Sequence, residues 1–225
     1  MCARARLAGD HSEKKIRIFL RGTDLPNIRP SYNIAPTQDI LGITSGKNGR
    51  RAHNMHWGII PKWSKELKMK FPTINARAED MLEKKTYVPL WSKGQRCLVV
   101  FDGFYEWRKP DKQPFTIYRA DGEPLVLAGL YEDWTDKASG EVTRTAAIFT
   151  TAANGTMAPL HDRMPVVLEE NQWAPYLGEA GAETAAAYAM LRPCPENILK
   201  FHAVSKAVGN VRNHGPELME PVDIA

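Results

Sequence analysis

The chain is 225 residues long, 43% hydrophobic and 25% charged, with a formal net charge of +4; these proportions suit a globular protein with a substantial core and exclude a disordered or low-complexity chain. No run approaches the roughly 18 apolar residues of a membrane span, and charges at Arg4, Arg6, Asp10, Glu13, Lys14, Lys15 and Arg17 leave no secretory apolar segment, so a cytoplasmic protein is expected. Cys2, Cys97 and Cys194 are too widely spaced for a disulfide framework or a zinc site, and the mild positive charge hints at a polyanionic partner.

The chain opens Met1-Cys2-Ala3-Arg4. Initiator methionine is trimmed when the next side chain is small, and trimming here would expose a 1,2-aminothiol. Its amine titrates near ~8 and its thiol near ~8.5, so each has a reactive minority form at neutral pH. Taken alone, the tetrapeptide reads as a fraying terminus with a chance cysteine. His11 to Leu20 reads as a helix, with Ser12 as N-cap before Ile16, Phe19 and Leu20. Ser31 to Thr37 is polar and proline-bearing and reads as a loop. Ile40 to Thr44 and Asn54 to Ile60 read as strands around a Gly-Lys-Asn-Gly turn. His53 and His56 fall three apart in the strand-like run Ala52 to Trp57, hence on opposite faces, and no metal site is expected there.

Ile74 to Arg77 is an irregular segment before a short helix over Ala78 to Lys85. Strands follow at Arg96 to Phe101, Phe104 to Arg108, Phe115 to Arg119, Leu125 to Tyr131 and Thr143 to Thr151. Asp102-Gly103 and Asp121-Gly122 read as tight turns between them. Cys97 lies in an apolar run and reads as a buried small hydrophobe; Cys194 sits between two prolines in a connection. His161 to Pro165 is a polar loop leading into a strand. Helices are expected near Glu169 to Leu177 and Ala182 to Leu191, and a last strand near Ile198 to Val204. Strands in hairpin order with helices at the sides predict an α+β fold. It is read as a single domain on an antiparallel sheet or barrel-like core with flanking helices, over residues 2–217, with a short loose tail at 218–225.

The polar loops hold the chemically capable residues, as loops on a rigid β scaffold commonly do. Glu106, between Tyr105 and Trp107, is an exposed carboxylate if its face is wet and a general acid/base if its face is dry. His161 beside Asp162 is either a proton donor or a hydrogen-bonded loop residue. Asn75, Arg77 and Arg163 are surface polar groups, or the arginines grip phosphates with their planar forks. Trp57, Trp63, Trp91 and Trp107 are packing residues unless one is exposed near the arginines, where it would stack on an unpaired base. Pro36 either wedges between bases or holds its turn.

Seven segments in order, MCAR, SYNIAPTQ, WGIIPKW, INARAE, FDGFYEW, HDRMP and VSKAVGNVRN, together resemble the SOS-response-associated peptidase (SRAP) family. Members of that family shield abasic sites in single-stranded DNA. The resemblance runs from Cys2 to about Val211. It implies the SRAP fold and a catalytic set of Cys2, Asn75, Glu106 and His161. The Cys2 amine would form a Schiff base with the abasic aldehyde, and the thiolate would close a thiazolidine ring. Glu106 would shuttle protons, His161 would help open the sugar, and Asn75 would hold the abasic residue and the amino end. Arg4, Arg77 and Arg163 would bind phosphates, with Asn33, Pro36, Trp63 and Trp107 beside the DNA groove. It implies no cofactor and no metal, single-stranded DNA with abasic sites as the partner, a monomer, a link to the DNA-damage response, and association with the nucleoid when DNA is bound.

One departure stands out: the family opens Cys-Gly-Arg, and Ala3 replaces the glycine that could supply a positive φ or a close approach to the sugar. Met1 must also be removed for the amine to exist. Two other readings remain open at this level. One is a thiol (auto)peptidase using Cys2 with His161 or Glu106 as base; the other is a passive single-strand binding module built from the arginines and aromatics. A lyase route is chemically adjacent, because a Schiff base can undergo β-elimination.

Overall fold

A computed structural model of the protein describes residues 2–8, 26–27, 30–181 and 183–224. In chain order the strands are β1 (Ala5–Leu7), β2 (Ser31–Ile34), β3 (Asp39–Gly46), β4 (Gly49–Trp57), β5 (Asn75–Arg77) and β6 (Arg96–Phe101). They continue as β7 (Gly103–Trp107), β8 (Pro114–Arg119), β9 (Leu125–Thr135), β10 (Val142–Ala152), β11 (Arg163–Pro165) and β12 (Leu199–Ala203). The α-helices are α1 (Val88–Ser92), α2 (Glu170–Leu177) and α3 (Thr184–Ala189).

One sheet runs β12-β8-β7-β1-β2, antiparallel throughout. The other runs β11-β10-β4-β3-β6-β9, and because β9 also pairs with β10 from Thr135↔Val142 to Gly129↔Ile148, it closes into a barrel. Closure removes the open edges of these strands. On its other flank β10 pairs in parallel: Thr145 pairs with His56 on β4, and then Ile148, Phe149 and Thr150 pair with Asn75, Ala76 and Arg77 on β5. β5 takes the place beside β10 that β4 vacates. The swap happens where Gly58 adopts φ 136°, its N–H still donating to Ala146 O, and the chain leaves on an excursion before returning at Ile74. A region that reads as irregular in the sequence is therefore partly a strand, held by a partner more than 70 residues away.

β6 is buried at every position because the barrel interior lies on one side and packed elements cover the other. Cys97 is among these buried side chains, and Cys194 is buried in its connection. β6 passes directly into β7 of the other sheet through Asp102. The Asp102-Gly103 pair is thus a crossing between sheets and not a hairpin turn. Asp102 N–H donates to Arg6 O, and its Oδ2 accepts from Ala8 N–H at 2.7 Å. Glycine is required at the crossing, since a Cβ on Gly103 would lie 2.6 Å from the Ile117 carbonyl oxygen.

Other expectations shift at element ends. Ser31 to Ile34 is a strand, because β1 supplies its pairing. The helix expected over 78–85 shrinks to a 3₁₀ turn at Met81–Glu83. α2 starts at a capping box between Glu169 and Gln172 and ends at Gly178, φ 77°. The next helix is shorter than expected, at Thr184–Ala189. The helix expected over His11 to Leu20 lies outside the described residues. The chain after Glu217 is not loose as far as Val222. Leu218 is buried, Val204 bridges to Pro221, and Val222 N–H donates to Ala203 O.

Candidate active site

The amino-terminal segment is an edge extension of β1 laid along β7. Ala5 pairs with Phe104, and Tyr105 N–H donates to Arg4 O at 2.8 Å, so Cys2 is carried toward Glu106. Cys2 is 1% exposed. Burial, reinforced by the Glu106 carboxylate, pushes its thiol far above the usual range. Its carbonyl accepts from Asn75 Nδ2 at 2.9 Å. Asn75 begins β5, and its own carbonyl accepts from the buried Tyr87 hydroxyl at 3.1 Å. Burial raises that phenol to about 12, so it remains a donor. Asn75 Oδ1 is buried and has no partner among the described residues.

The sequence left the orientation of Glu106 open; the structure places it at 6% exposure, on the dry side. Tyr105, one residue earlier on β7, reaches the other way and donates to Tyr32 O at 2.9 Å. Glu106 Oε1 accepts from Trp107 N–H at 3.2 Å. Its charge acts on both the Cys2 thiol and the His161 imidazole, which ties the three groups into one cluster.

His161 precedes β11. Burial holds its titration below the usual value, while Glu106 and Asp162 pull it upward and Lys109 pushes it down. Two groups claim its Nδ1: Arg163 N–H at 3.0 Å and Asp162 Oδ1 at 2.8 Å. One nitrogen cannot accept from the first and donate to the second in the same protonation state. Accepting from the Arg163 amide places the neutral ring's proton on Nε2, whereas donating to Asp162 needs a proton on Nδ1, in the other neutral tautomer or in the charged ring.

Around this cluster the remaining expected residues separate. Arg4 Nη1 donates to Asn33 Oδ1 at 2.9 Å and Val208 O at 2.8 Å, and its guanidinium lies 6.0 Å over the half-buried Trp107 ring. No carboxylate pairs with Arg4 among the described residues, and its buried Nε has no partner. Arg77 is 56% exposed, with Asp80 3.4 Å away. Pro36 occupies the second position of a turn closed by Gln38 N–H on Ala35 O, and Thr37 follows at φ 73°, the geometry of a type II turn. A β-branched residue in that region is strained. Trp63 is 69% exposed. It lines a cavity of about 510 Å³ with Lys65, Lys68, Lys70 and Phe71. Phe71, 76% exposed, was not singled out in the sequence; the signal was a lone aromatic at the end of the lysine-rich Lys68-Met69-Lys70 run.

Two of the expected DNA-contacting residues are engaged by partners within the protein. Asn33 is fully buried, and its Nδ2 faces Val208 O, Asn210 O and Asn213 O at 3.3, 3.1 and 2.9 Å. It positions Arg4 and the 208–213 loop. Arg163 is 11% exposed, its Nη1 and Nη2 donating to Glu79 (2.9 and 2.8 Å) and Nη2 also to Thr150 O (2.7 Å), while its buried Nε has no partner among the described residues. Ala3 introduces no backbone conflict: the non-glycine residues with positive φ among those described are Thr37 and Lys112. Among the described residues no three His, Cys, Asp or Glu side chains cluster in a way that could hold a metal ion.

Comparison with known proteins adds to this geometry. The family model for SOS response associated peptidase (SRAP) matches residues 1–211. Abasic site processing protein YoqW of Bacillus subtilis is 37% identical over 195 residues, covering 85% of this chain and 86% of the relative. YedK of Escherichia coli, named likewise, is 36% identical over 194 residues, with 85% and 84% covered. HMCES of Gallus gallus, with the same description, is 34% identical over 228 residues, with 87% and 67% covered. A crystal structure of a protein from Bacteroides thetaiotaomicron superposes with a TM-score of 0.83 at 24% identity, over 98% of this chain and 100% of that one. One from Bordetella bronchiseptica gives 0.78 at 26%, over 91% and 100%.

Proposed function

Because the chain belongs to the SOS response associated peptidase family, we propose that it captures abasic sites in single-stranded DNA as a covalent thiazolidine on Cys2. The observation that carries this reading is the placement of Cys2. It is buried, pinned by Asn75 through its carbonyl, and within the electrostatic reach of Glu106, whose charge also acts on His161.

The chemistry requires removal of Met1, since the Cys2 nitrogen is otherwise an amide. The orphaned Asn75 Oδ1 is then a ready acceptor for the liberated amine. An abasic sugar must first open: His161, protonated on Nε2, donates toward the ring oxygen while Glu106 takes the proton of the anomeric hydroxyl. The Cys2 amine adds to the aldehyde carbon, and protonation of the resulting hydroxyl expels water to leave an imine. The thiol then adds to the imine carbon and its proton ends on the imine nitrogen, so aldehyde plus aminothiol gives thiazolidine plus one water. Ring closure is intramolecular and benefits from effective concentration. A thiol kept protonated by burial does not react early; the positive charge of the protonated imine is what lowers its proton affinity at the right moment. The same burial disfavours a thiol-peptidase reading, which needs a ready thiolate before substrate arrives.

DNA would approach across Arg4 and Arg77, cations reachable beside the cluster, with Trp107, Pro36, Trp63 and Phe71 as apolar contacts for bases. Phosphate contacts carry no sequence information, so base preference is low. The protein acts as a monomer, in the cytoplasm and on the nucleoid. The test uses protein whose intact mass shows Met1 absent, mixed with single-stranded DNA bearing one abasic site and run on a denaturing gel. A retarded species lost with Cys2→Ala supports the reading; binding without that species, or strand scission without retained protein, overturns it.

A further inference from the structure

β10 carries the two halves of the site on its two flanks. On one flank Thr150 pairs with Arg77, two residues after Asn75; on the other Ala152 pairs with Arg163, two residues after His161. The Thr150 carbonyl receives both Ala78 N–H at 2.9 Å and Arg163 Nη2 at 2.7 Å. Above it, Glu79 and Arg163 form a two-point ion pair, Nη1 to Oε1 at 2.9 Å and Nη2 to Oε2 at 2.8 Å. These two residues are 84 positions apart in sequence. The guanidinium is shielded from solvent while Arg77, which shares the neighbourhood, is not.

We propose that Glu79, through Arg163, is a positioning residue that fixes the orientation and tautomer of His161, an inference that rests on the proposed capture of abasic sites. The chain of contacts is short. The Glu79 carboxylate holds the Arg163 side chain, which anchors the start of β11, and the Arg163 amide holds His161 Nδ1 at 3.0 Å. With Nδ1 occupied as an acceptor, the neutral ring keeps its proton on Nε2. The charges facing the ring from other elements are Glu106 on β7, Lys109 after β7 and Asp162 beside it. Without Glu79, Arg163 would be a largely buried cation with no carboxylate, which is a costly arrangement, and its segment would move to resolve it. Planar two-point pairing is also direction-specific, so the pair fixes angle as well as distance.

The experiment compares wild type with Glu79→Gln and Glu79→Asp. Single-turnover crosslinking is measured at saturating abasic single-stranded DNA. The Kd and its salt dependence are measured with a tetrahydrofuran abasic analogue that cannot open. The expected result for Glu79→Gln is a maximal rate lowered about tenfold, the size of effect a small misplacement of a catalytic group produces, with Kd and salt slope as in wild type. Glu79→Asp, which retains the charge, recovers part of the rate. Independently of any crosslinking, ¹⁵N NMR of the His161 ring is expected to show the Nε2–H tautomer alone in wild type and a mixture in Glu79→Gln. A tighter Kd, a salt slope steeper by about 0.7 and an unaltered rate would overturn the inference, making Arg163 a phosphate ligand that Glu79 masks. An unaltered tautomer would also overturn it. If wild type fails to crosslink at all, the proposed function falls, and the NMR result alone judges Glu79.

Discussion

Replacing Asn33 by alanine tests whether this residue works inside the protein or at its surface. The amide accepts from Arg4 Nη1 at 2.9 Å and faces three carbonyls, those of Val208, Asn210 and Asn213, between 2.9 and 3.3 Å. Two Nδ2 hydrogens serve three acceptors, so the amide makes about three effective hydrogen bonds, one of them to a charged donor. At ~1 kcal/mol for each neutral bond and ~1.5 or more for the charged one, the loss is about 3–4 kcal/mol. For a chain of this size each kcal/mol moves Tm by roughly 2–4 °C, so Asn33→Ala is expected to melt about 6–16 °C lower. Thermal and urea unfolding measure this, and amide hydrogen exchange should show the 208–213 segment opening first. Affinity for single-stranded DNA should fall only modestly, through a less ordered Arg4. A Tm unchanged within about 2 °C, together with a large loss of DNA affinity, would refute the assignment and return Asn33 to the binding surface.

Further outcomes follow from the same geometry. Cys2→Ser in trimmed protein keeps the amine and replaces the thiol by a weaker nucleophile, so a DNA adduct should survive a denaturing gel only after borohydride reduction; an adduct as stable as the wild type's without reductant would show that its stability does not depend on sulfur. Phe71→Ala and Trp63→Ala should each weaken single-strand binding by about 1–3 kcal/mol, the size of a stacking contact, measured by fluorescence anisotropy, with the melting temperature unchanged because both rings are exposed. Arg4→Gln should reduce the salt slope of binding by about 0.7. Finally, burial depresses the titration of His53, His56 and His161 below the usual value. A depressed folded value means the unfolded chain takes up the proton first. Stability is therefore full above ~6.5 and declines as pH falls toward the folded values. His161→Gln should make that decline shallower, as read by urea unfolding at stepped pH.

Several elements could be read from local pattern alone. The apolar runs at 96–101 and 125–131 fall on β6 and β9, and the Glu169–Gln172 capping box sets the start of α2. The seven ordered segments identified the family, because they fix residue types at positions the site needs. Local pattern failed wherever a partner was distant. Ser31 to Ile34 becomes a strand only because β1 lies beside it, and Asn75 to Arg77 only because β10 does.

Sequence by itself determined the reactive groups of this protein: an aminothiol precursor at position 2, one carboxylate between two aromatics, one histidine in a polar loop, and arginines near each. Tertiary structure alone decided where each of them sits and what it touches. Period-two alternation places Glu106 opposite its neighbours but cannot say which face is dry; packing on both sides of β7, which buries Tyr105 and Glu106 alike, settles that. An arginine's type advertises a phosphate grip, yet Arg163 is occupied by a carboxylate 84 residues away while Arg4 has none among the described residues. The physical reason is that charge and desolvation act through space, so the role of a polar side chain depends on neighbours that the chain supplies only once it has closed on itself.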